Sequence, residues 1–286
     1  MRGYNAGSCG RLGASPVTRM RIALTSSLHG HRHASPIGTQ NARFFVQRQV
    51  TCLALPTRRA VLGTACGCGL CQGRLQWYDK FFAWNLANFE DKYQTLVGDR
   101  KAELFDAFLQ TSDKGSLQLL DVGAGTLPNS RYYEGCRVTA VDPNRAMEPY
   151  AAKNAAAHHL EDFQLVEGIA ESLPFEDATF DRAVCTLVFC SVPDLKASLK
   201  EVKRVLKPSG KLLFWDHVYA EDSRPLTRLG QNVLNPLQQA IADGCHLNRD
   251  PLPVIMETGF AIEQQQRFTV EGLGIIGPHQ CGIAVA

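Results

Sequence analysis

Residues 119–130 read LLDVGAGTLPNS, an apolar run that ends in an acid and opens at once into two glycines one residue apart. A strand that breaks into a glycine turn is how an open α/β sheet starts its first strand-to-helix unit, and ligands of such sheets lie at the carboxyl ends of the strands. The glycine pair alone has little specificity, because many such turns need a positive φ. Its surroundings say more. A dinucleotide fingerprint requires glycine at position 128, where this chain has Pro128, which has no N–H to offer a pyrophosphate. A phosphate-binding loop would carry Lys followed by Ser or Thr, and neither order occurs here. The turn is shaped for a ligand without phosphates.

On either side of it, short apolar runs alternate with helical periods. Strands are predicted over 117–122, 137–141, 163–166, 182–187 and 211–215, and helices over 144–158 and 195–206, the second stopped by KPSG. That alternation implies a parallel sheet covered by helices on both faces. From Trp77, WYDKFFAWNLANFEDKYQTLVGDRKAELFDAFLQ sets aromatics and leucines at spacings of three and four, and Val97, Gly98 and Asp99 predict a break into two helices. After Asp216 follow a helix over 225–243, the loop GCHLNRD, a short helix, and closing runs over 260–270 and 279–286 that predict an antiparallel pair at the sheet edge.

Two carboxylates frame the turn. Asp142 follows the second strand, 19 residues after Gly123, where an acid accepts both hydroxyls of a ribose, a placement that by itself suits NAD equally well. Asp121, at the end of the first strand, is placed to meet a ligand ammonium. Ribose, ammonium and no phosphate together describe S-adenosylmethionine; the alternative is that both acids only cap local turns.

LLDVGAGTLPN, VTAVDPN, GIAESLPFEDATFD, VCTLVFCSV, LKEVKRVLKPSGKLLFWDHV, DGCHLNRDPLPVIMETGF and PHQCGIAVA follow one another in this order. Over residues 77–286 the chain thereby resembles the class I S-adenosylmethionine-dependent methyltransferases, most of all the methyltransferase-like branch that includes the microsomal alkyl-thiol S-methyltransferases. The resemblance implies a seven-stranded Rossmann-like sheet, mostly parallel with an antiparallel last strand and helices on both faces, under an N-terminal helical lid. It further implies that Asp121, Gly123 and Gly125 line the methionine end of the cofactor and that Asp142 binds the ribose. Pro143, Asn144, Ala170 and Glu171 would border the adenosine, and Cys185 and Thr186 would face the sulfonium. The chain departs from the wider family at Leu127, where a third glycine is common, and at Ile169, where an Asp often stands; the second departure leaves the adenine amino group to a backbone contact.

Methyl transfer from a sulfonium is an in-line displacement, so the protein has to align the partners, exclude water and remove the nucleophile's proton. Asp216 and His217, at the end of the fifth strand, are the catalytic candidates; His217 as a capping or core residue is the alternative. His246 reads as a structural residue of its loop, and Cys245 as packing. The acceptor is expected to be a small apolar molecule such as a thiol. Rival readings are a C- or O-methyltransferase of a prenylquinone or lipid, and a catalytically inactive assembly factor that keeps the cofactor fold.

Composition separates a leader from this domain. Residues 1–78 hold ten Arg and no Asp, Glu or Lys, so the 30 basic residues of the chain leave 20 against 28 acids afterwards, a sum of −8 over residues 79–286. An acidic domain has no electrostatic reason to follow a phosphate backbone, which argues against nucleic acid. Residues 1–76 are expected to be an unstructured organelle transit peptide. The expected location is the chloroplast, at the stroma or a thylakoid face, with the lumen or a mitochondrion as alternatives; LPTRRAVLGTACGCGLC resembles a twin-arginine signal. Cys66, Cys68 and Cys71 lack a second ligand pair at zinc-like spacing, and no metal is expected. Cys136, Cys185, Cys190, Cys245 and Cys281 read as reduced core residues. Trp77, Tyr78, Phe81, Phe82 and Trp84 suit either a lid over an apolar substrate or peripheral membrane contact. No feature speaks to an oligomeric state.

Overall fold

The computed structural model describes residues 45–47 and 69–286, with side chains from residue 76 onward. The rest of the 1–76 leader, with its twin arginines and with Cys66 and Cys68, lies outside the described residues, while Cys71 falls in the described backbone. The sheet has eight strands in the order β1-β4-β3-β2-β5-β6-β8-β7. These are β1 Phe45–Gln47, β2 Gln118–Val122, β3 Arg137–Asp142, β4 Phe163–Glu167, β5 Phe180–Thr186, β6 Leu206–His217, β7 Ala261–Thr269 and β8 Pro278–Val285. Strands β2 to β8 form the expected seven-stranded sheet. β1 adds a short edge strand, parallel to β4, from within the segment read as leader.

The parallel pairs run from β4 through β3, β2 and β5 to β6. β8 then inserts between β6 and β7, antiparallel to both. The two closing runs are thus an antiparallel pair as expected, but the last strand is internal and only β7 is at the edge. Because β2 pairs with β3 on one side and β5 on the other, the chain reverses its direction of travel across the sheet at β2. The loops that leave β2 and β5 therefore meet at the switch point of the sheet, the position where α/β sheets hold ligands.

Alternation along the strands divides the core between two faces. Leu119, Leu213 and Trp215 belong to one apolar cluster with Tyr93, Val97, Phe105 and Phe108 of helix α1, Gly69–Phe108. Leu120, Leu212 and Phe214 point the other way, toward α3, Leu195–Val205, and α5, Leu252–Glu257. α3 starts where the Asp194 carboxylate accepts the Ala197 amide at 2.9 Å, and it buries Leu195, Leu199 and Val202. The remaining helices are α2, Glu148–Ala157, and α4, Pro225–Ile241.

The predicted break at Val97, Gly98 and Asp99 is absent: α1 is continuous over its 40 residues. A glycine inside a helix costs about 1 kcal/mol, less than the burial of a single large apolar side chain. Tyr93 and Val97 before Gly98, and Leu104, Phe105 and Phe108 after it, are all buried on one stripe. Packing of that stripe overrides the local propensity. α1 also starts before Trp77, since neither a proline nor a cap interrupts residues 69–76. No helix among the described residues is long and apolar enough to cross a membrane.

Candidate active site

The turn after β2 is built on positive φ, +62° at Gly123 and +53° at Gly125. The amides of Gly123 and Ala124 donate to the Val141 carbonyl at 2.8 and 3.2 Å, which fastens the turn to the end of β3. A Cβ on Gly123 would lie 2.7 Å from a methyl of Val188, so the loop after β5 passes directly over the turn. Leu127 has φ +62° and is fully buried: at this departure from the family pattern, leucine takes the glycine-like conformation and puts its side chain into the α1 face of the core.

Asp142 joins two turns. Its Oδ2 accepts the Gly125 amide at 2.9 Å and its Oδ1 the Asn144 amide at 2.8 Å. Both oxygens keep a lone pair for a further donor. The residue is half-buried but its carboxyl group is enclosed by protein, and that burial raises its pKa to about 6 against the two amides that lower it. The capping alternative and the ribose role are compatible at this residue. Pro143 is exposed, and the Asn144 side chain caps the following turn while donating to the Asp79 carbonyl of α1 at 3.1 Å.

Asp121 is 1% exposed. Its Oδ2 accepts the Tyr133 hydroxyl at 2.6 Å, and its Oδ1 is buried with no partner. Burial pushes its pKa up to about 7, opposed by the Tyr133 hydroxyl and the positive charge of Lys101. A buried carboxylate oxygen without a donor is costly and signals a place for one.

The sequence reading missed Lys101. It lies on α1, 1% exposed, with Nζ donating to Asn129 Oδ1 at 3.0 Å and 5.7 Å from the ring centres of both Tyr93 and Trp215. Burial lowers its pKa to about 8, while Asp121 and Glu90 hold it up. A signal was present: Lys101 occupies the stripe of Tyr93, Val97 and Phe105 at steps of four, where a solvated helix face would not be. Asn129 completes the link, donating to Thr186 Oγ1 at 2.9 Å and so joining the glycine turn to the end of β5.

Cys185 is fully buried, and burial beside Asp216 and Asp121 raises its thiol well above the ordinary range. Ala170 packs in the α3 face of the core. The Glu171 Oε1 accepts the Asp194 amide at 3.2 Å, at the start of α3. One carboxylate oxygen thus supports a helix start, and the other is left for a further donor. Ile169 makes a bridge to Ser172, which folds that loop back on itself.

At the end of β6, Asp216 is fully buried; its Oδ1 accepts the Cys190 amide at 3.1 Å and its Oδ2 has no partner. Burial pushes its pKa up to about 8. His217 Nε2 is 2.9 Å from Cys245 Sγ, and its Nδ1 is buried without a partner. Cys245, read from the sequence as packing, thus contacts a catalytic candidate; its hydrogen bond with Cys190, and then burial, raise its thiol. The His246 amide donates to the Cys190 carbonyl at 2.8 Å and ties its loop to the one after β5. Across the sheet, Trp215 Nε1 donates to Tyr93 Oη at 2.7 Å, and Tyr93 Oη lies 2.9 Å from His279 Nε2. His279 is held neutral by burial, with its pKa lowered to about 4.

A cavity of about 130 Å³ behind the turn, lined by Glu90, Thr126, Pro128, Arg131 and Lys153 among others, includes none of the expected site residues. The crevice at the strand ends does fit an amino-acid-bearing nucleoside. Asp121 Oδ1 lacks a donor that an ammonium supplies, Asp142 has lone pairs for two hydroxyls, and Pro128 denies the turn the amide a pyrophosphate would use.

Comparison with known proteins agrees. The profile of a family described as methyltransferase domain matches residues 120–214. Thiol S-methyltransferase TMT1A of Homo sapiens is 35% identical over 211 residues, which cover 72% of this chain and 86% of that one. Thiol S-methyltransferase TMT1B of Homo sapiens is 35% identical over 246 residues, 84% of this chain and 97% of that one. Among solved structures, geranyl diphosphate methyltransferase in complex with GPP and sinefungin is similar with a TM-score of 0.51 at 17% identity, over 65% of this chain and 77% of that one, a likeness of fold.

Proposed function

We propose, for a chain that belongs to the class I S-adenosylmethionine-dependent methyltransferases in the branch of the thiol S-methyltransferases, that the methyl acceptor is a small apolar thiol. The observation that supports this reading is the reach of the similarity: it spans 97% of a thiol S-methyltransferase and so includes the segment after β6 as well as the cofactor half.

S-adenosylmethionine supplies, when bound, a methyl carbon already activated on a sulfonium. Asp121 Oδ1 meets its ammonium, and the buried Lys101 offers a positive charge for its carboxylate. Asp142 accepts the ribose hydroxyls, with Pro143, Asn144, Ala170 and Glu171 along the adenosine. Gly123 and Gly125 let the chain approach closely, and Cys185 and Thr186 border the reacting end. Helix α1 covers the turn, with Leu86 above Gly125 and Thr126 hydrogen-bonded to Glu90, and excludes water. A thiol is only a few per cent ionised at neutral pH, so its proton has to be removed. Asp216 Oδ2, a buried oxygen without a partner at the end of β6, is placed to accept it, and His217 beside it orients the acceptor side.

Peripheral membrane contact belongs to the same proposal. Trp77, Phe81 and Trp84 on α1 are exposed, and so are Leu226, Leu229, Val233 and Leu237 on α4, at helical spacing. The side of α4 that faces the protein is tied by Gln231, which accepts the Ala220 amide at 2.8 Å and donates to the Val218 carbonyl at 3.0 Å. A plastid location rests on the Arg-rich leader; sequencing the N-terminus of the protein from its source organelle tests it.

The decisive assay for the acceptor is incubation with labelled S-adenosylmethionine and a panel of alkyl thiols and quinols. Label in the thioethers supports the reading, and label in the quinol products alone overturns it.

A further inference from the structure

Cys190, His217 and Cys245 come from three separate places, the loop after β5, the last residue of β6 and the loop after α4. The structure gathers them so that Sγ of each cysteine and a ring nitrogen of the histidine all lie within 4.8 Å of one another, and all three residues are buried. We infer that they form a metal site for a soft divalent cation, zinc by chemistry, with a fourth position open to the sulfur of the acceptor.

The donor set supports this in kind and number. Two thiolates and an imidazole are the ligands zinc prefers, and three protein ligands are the count of a reactive site, which keeps one position for a substrate or water, whereas structural sites close with four. With bonds of about 2.3 Å to sulfur and about 2.0 Å to nitrogen, tetrahedral zinc separates its ligand atoms by roughly 3.5–3.8 Å. The observed separations bracket these values, from 2.9 Å between His217 Nε2 and Cys245 Sγ to no more than 4.8 Å across the cluster, so side-chain adjustments of about an ångström would seat the ion. Two thiolates balance the charge of the ion, so the buried centre is neutral.

The ligand-bearing loops are also held together. The Cys190 amide donates to Asp216 and its carbonyl accepts the His246 amide, one residue beyond Cys245. Arg249 brackets Cys190 by donating to the Phe189 and Val192 carbonyls at 2.8 and 2.7 Å. Gln238 approaches Cys245 Sγ at 3.6 Å. Two loops and the end of β6 thus bring the three ligands together, and hydrogen bonds hold the two cysteine-bearing loops in place.

The inference rests on the thiol reading for its use, though not for its test. With the metal bound, an acceptor thiol that becomes the fourth ligand is acidified by the ion and releases its proton to solvent, so that the ion replaces Asp216 as the group that generates the thiolate at the carboxyl edge of the sheet. The sulfur then bonds the methyl carbon as the sulfonium–methyl bond breaks, which leaves a neutral thioether and S-adenosylhomocysteine and returns the site to its three protein ligands.

Two measurements on the full domain test it. Elemental analysis of protein purified under reducing, chelator-free conditions is expected to find one equivalent of zinc, and Cys190→Ser and Cys245→Ser to lower it to background while calorimetry still detects S-adenosylhomocysteine binding. Cobalt loaded into the reduced protein is expected to give a thiolate charge-transfer band and the strong visible bands of a tetrahedral ion, both shifted by a small alkyl thiol. Zinc at background together with no cobalt spectrum overturns the inference. Thiol methylation by metal-free protein also overturns it while leaving the acceptor reading intact; bound zinc with quinols as the only acceptors keeps the metal site and removes the thiol from it.

Discussion

Lys101 Nζ donates to Asn129 Oδ1 at 3.0 Å, a bond between the covering helix and the glycine turn made entirely inside the protein. A buried ammonium is an expensive way to hold two elements together. Its charge also acts on the carboxylate of Asp121, and the proposed function gives it a second use as counter-charge for the acid end of the cofactor.

Replacement Lys101→Met separates the two uses. Affinity for S-adenosylhomocysteine is expected to fall about tenfold or more, equivalent to about 1.4 kcal/mol. Melting of the ligand-free protein at neutral pH is expected to be unchanged or higher. In the parent, the folded pKa of about 8 lies below the unfolded value near 10.4, so the unfolded chain holds the extra proton between them and stability rises with pH across that window. In the variant this rise is absent. Calorimetry and thermal melts read both effects.

Burial holds the Asp121 carboxyl well above the ordinary carboxylate range. Its folded pKa of about 7 lies above the ordinary value near 3.9, so the folded state holds the extra proton between them, and ligand-free stability falls as pH rises through that window. The ionised form is the one that meets an ammonium, so affinity for S-adenosylhomocysteine is expected to weaken as pH falls through about 7. Asp121→Asn is expected to bind weakly with little pH dependence over that range, and to melt higher than the parent at pH 8. Titrations at several pH values check this.

Asp142→Asn removes one acceptor and turns an amide group against the Gly125 or Asn144 N–H. Binding of S-adenosylhomocysteine is expected to weaken roughly tenfold to a hundredfold, the worth of about 1.5–3 kcal/mol for a hydrogen bond to a charged group. The parent should lose affinity below about pH 6, where the carboxyl group takes up its proton.

Gly123→Ala meets both backbone and neighbour, at φ +62° and 2.7 Å from the Val188 methyl. A loss of about 1–2 kcal/mol from the left-handed conformation is expected, with more from the contact. Val188→Ala in the same chain should restore only the contact part, which urea melts of the single and double variants separate.

The sheet was legible because its strands are short apolar runs bounded by turn residues, and the glycine turn fixed where the ligand crevice opens. Gly98 misled because local propensity says nothing of the packing that holds α1 straight on both sides of it. Lys101 was passed over because a charge in a helical sequence reads as solvated, although its place on the apolar stripe argued otherwise. Cys190, His217 and Cys245 were each seen, and each read singly, since the contact among them is made by loops brought together across β5, β6 and the segment after α4. The contact of Glu171 with the Asp194 amide at the start of α3 was not legible, because it joins residues 23 positions apart.

The central claim, methyl transfer from S-adenosylmethionine to a thiol, is tested most directly by a single-turnover reaction. Enzyme in excess over methyl-labelled cofactor is mixed with a small alkyl thiol, and the thioether and S-adenosylhomocysteine are quantified together. The account expects the two products in equal amounts, with both formed more slowly by Asp142→Asn in proportion to its weaker binding. Cofactor that binds but stays unconverted with every thiol, while a quinol yields methylated product, would contradict it.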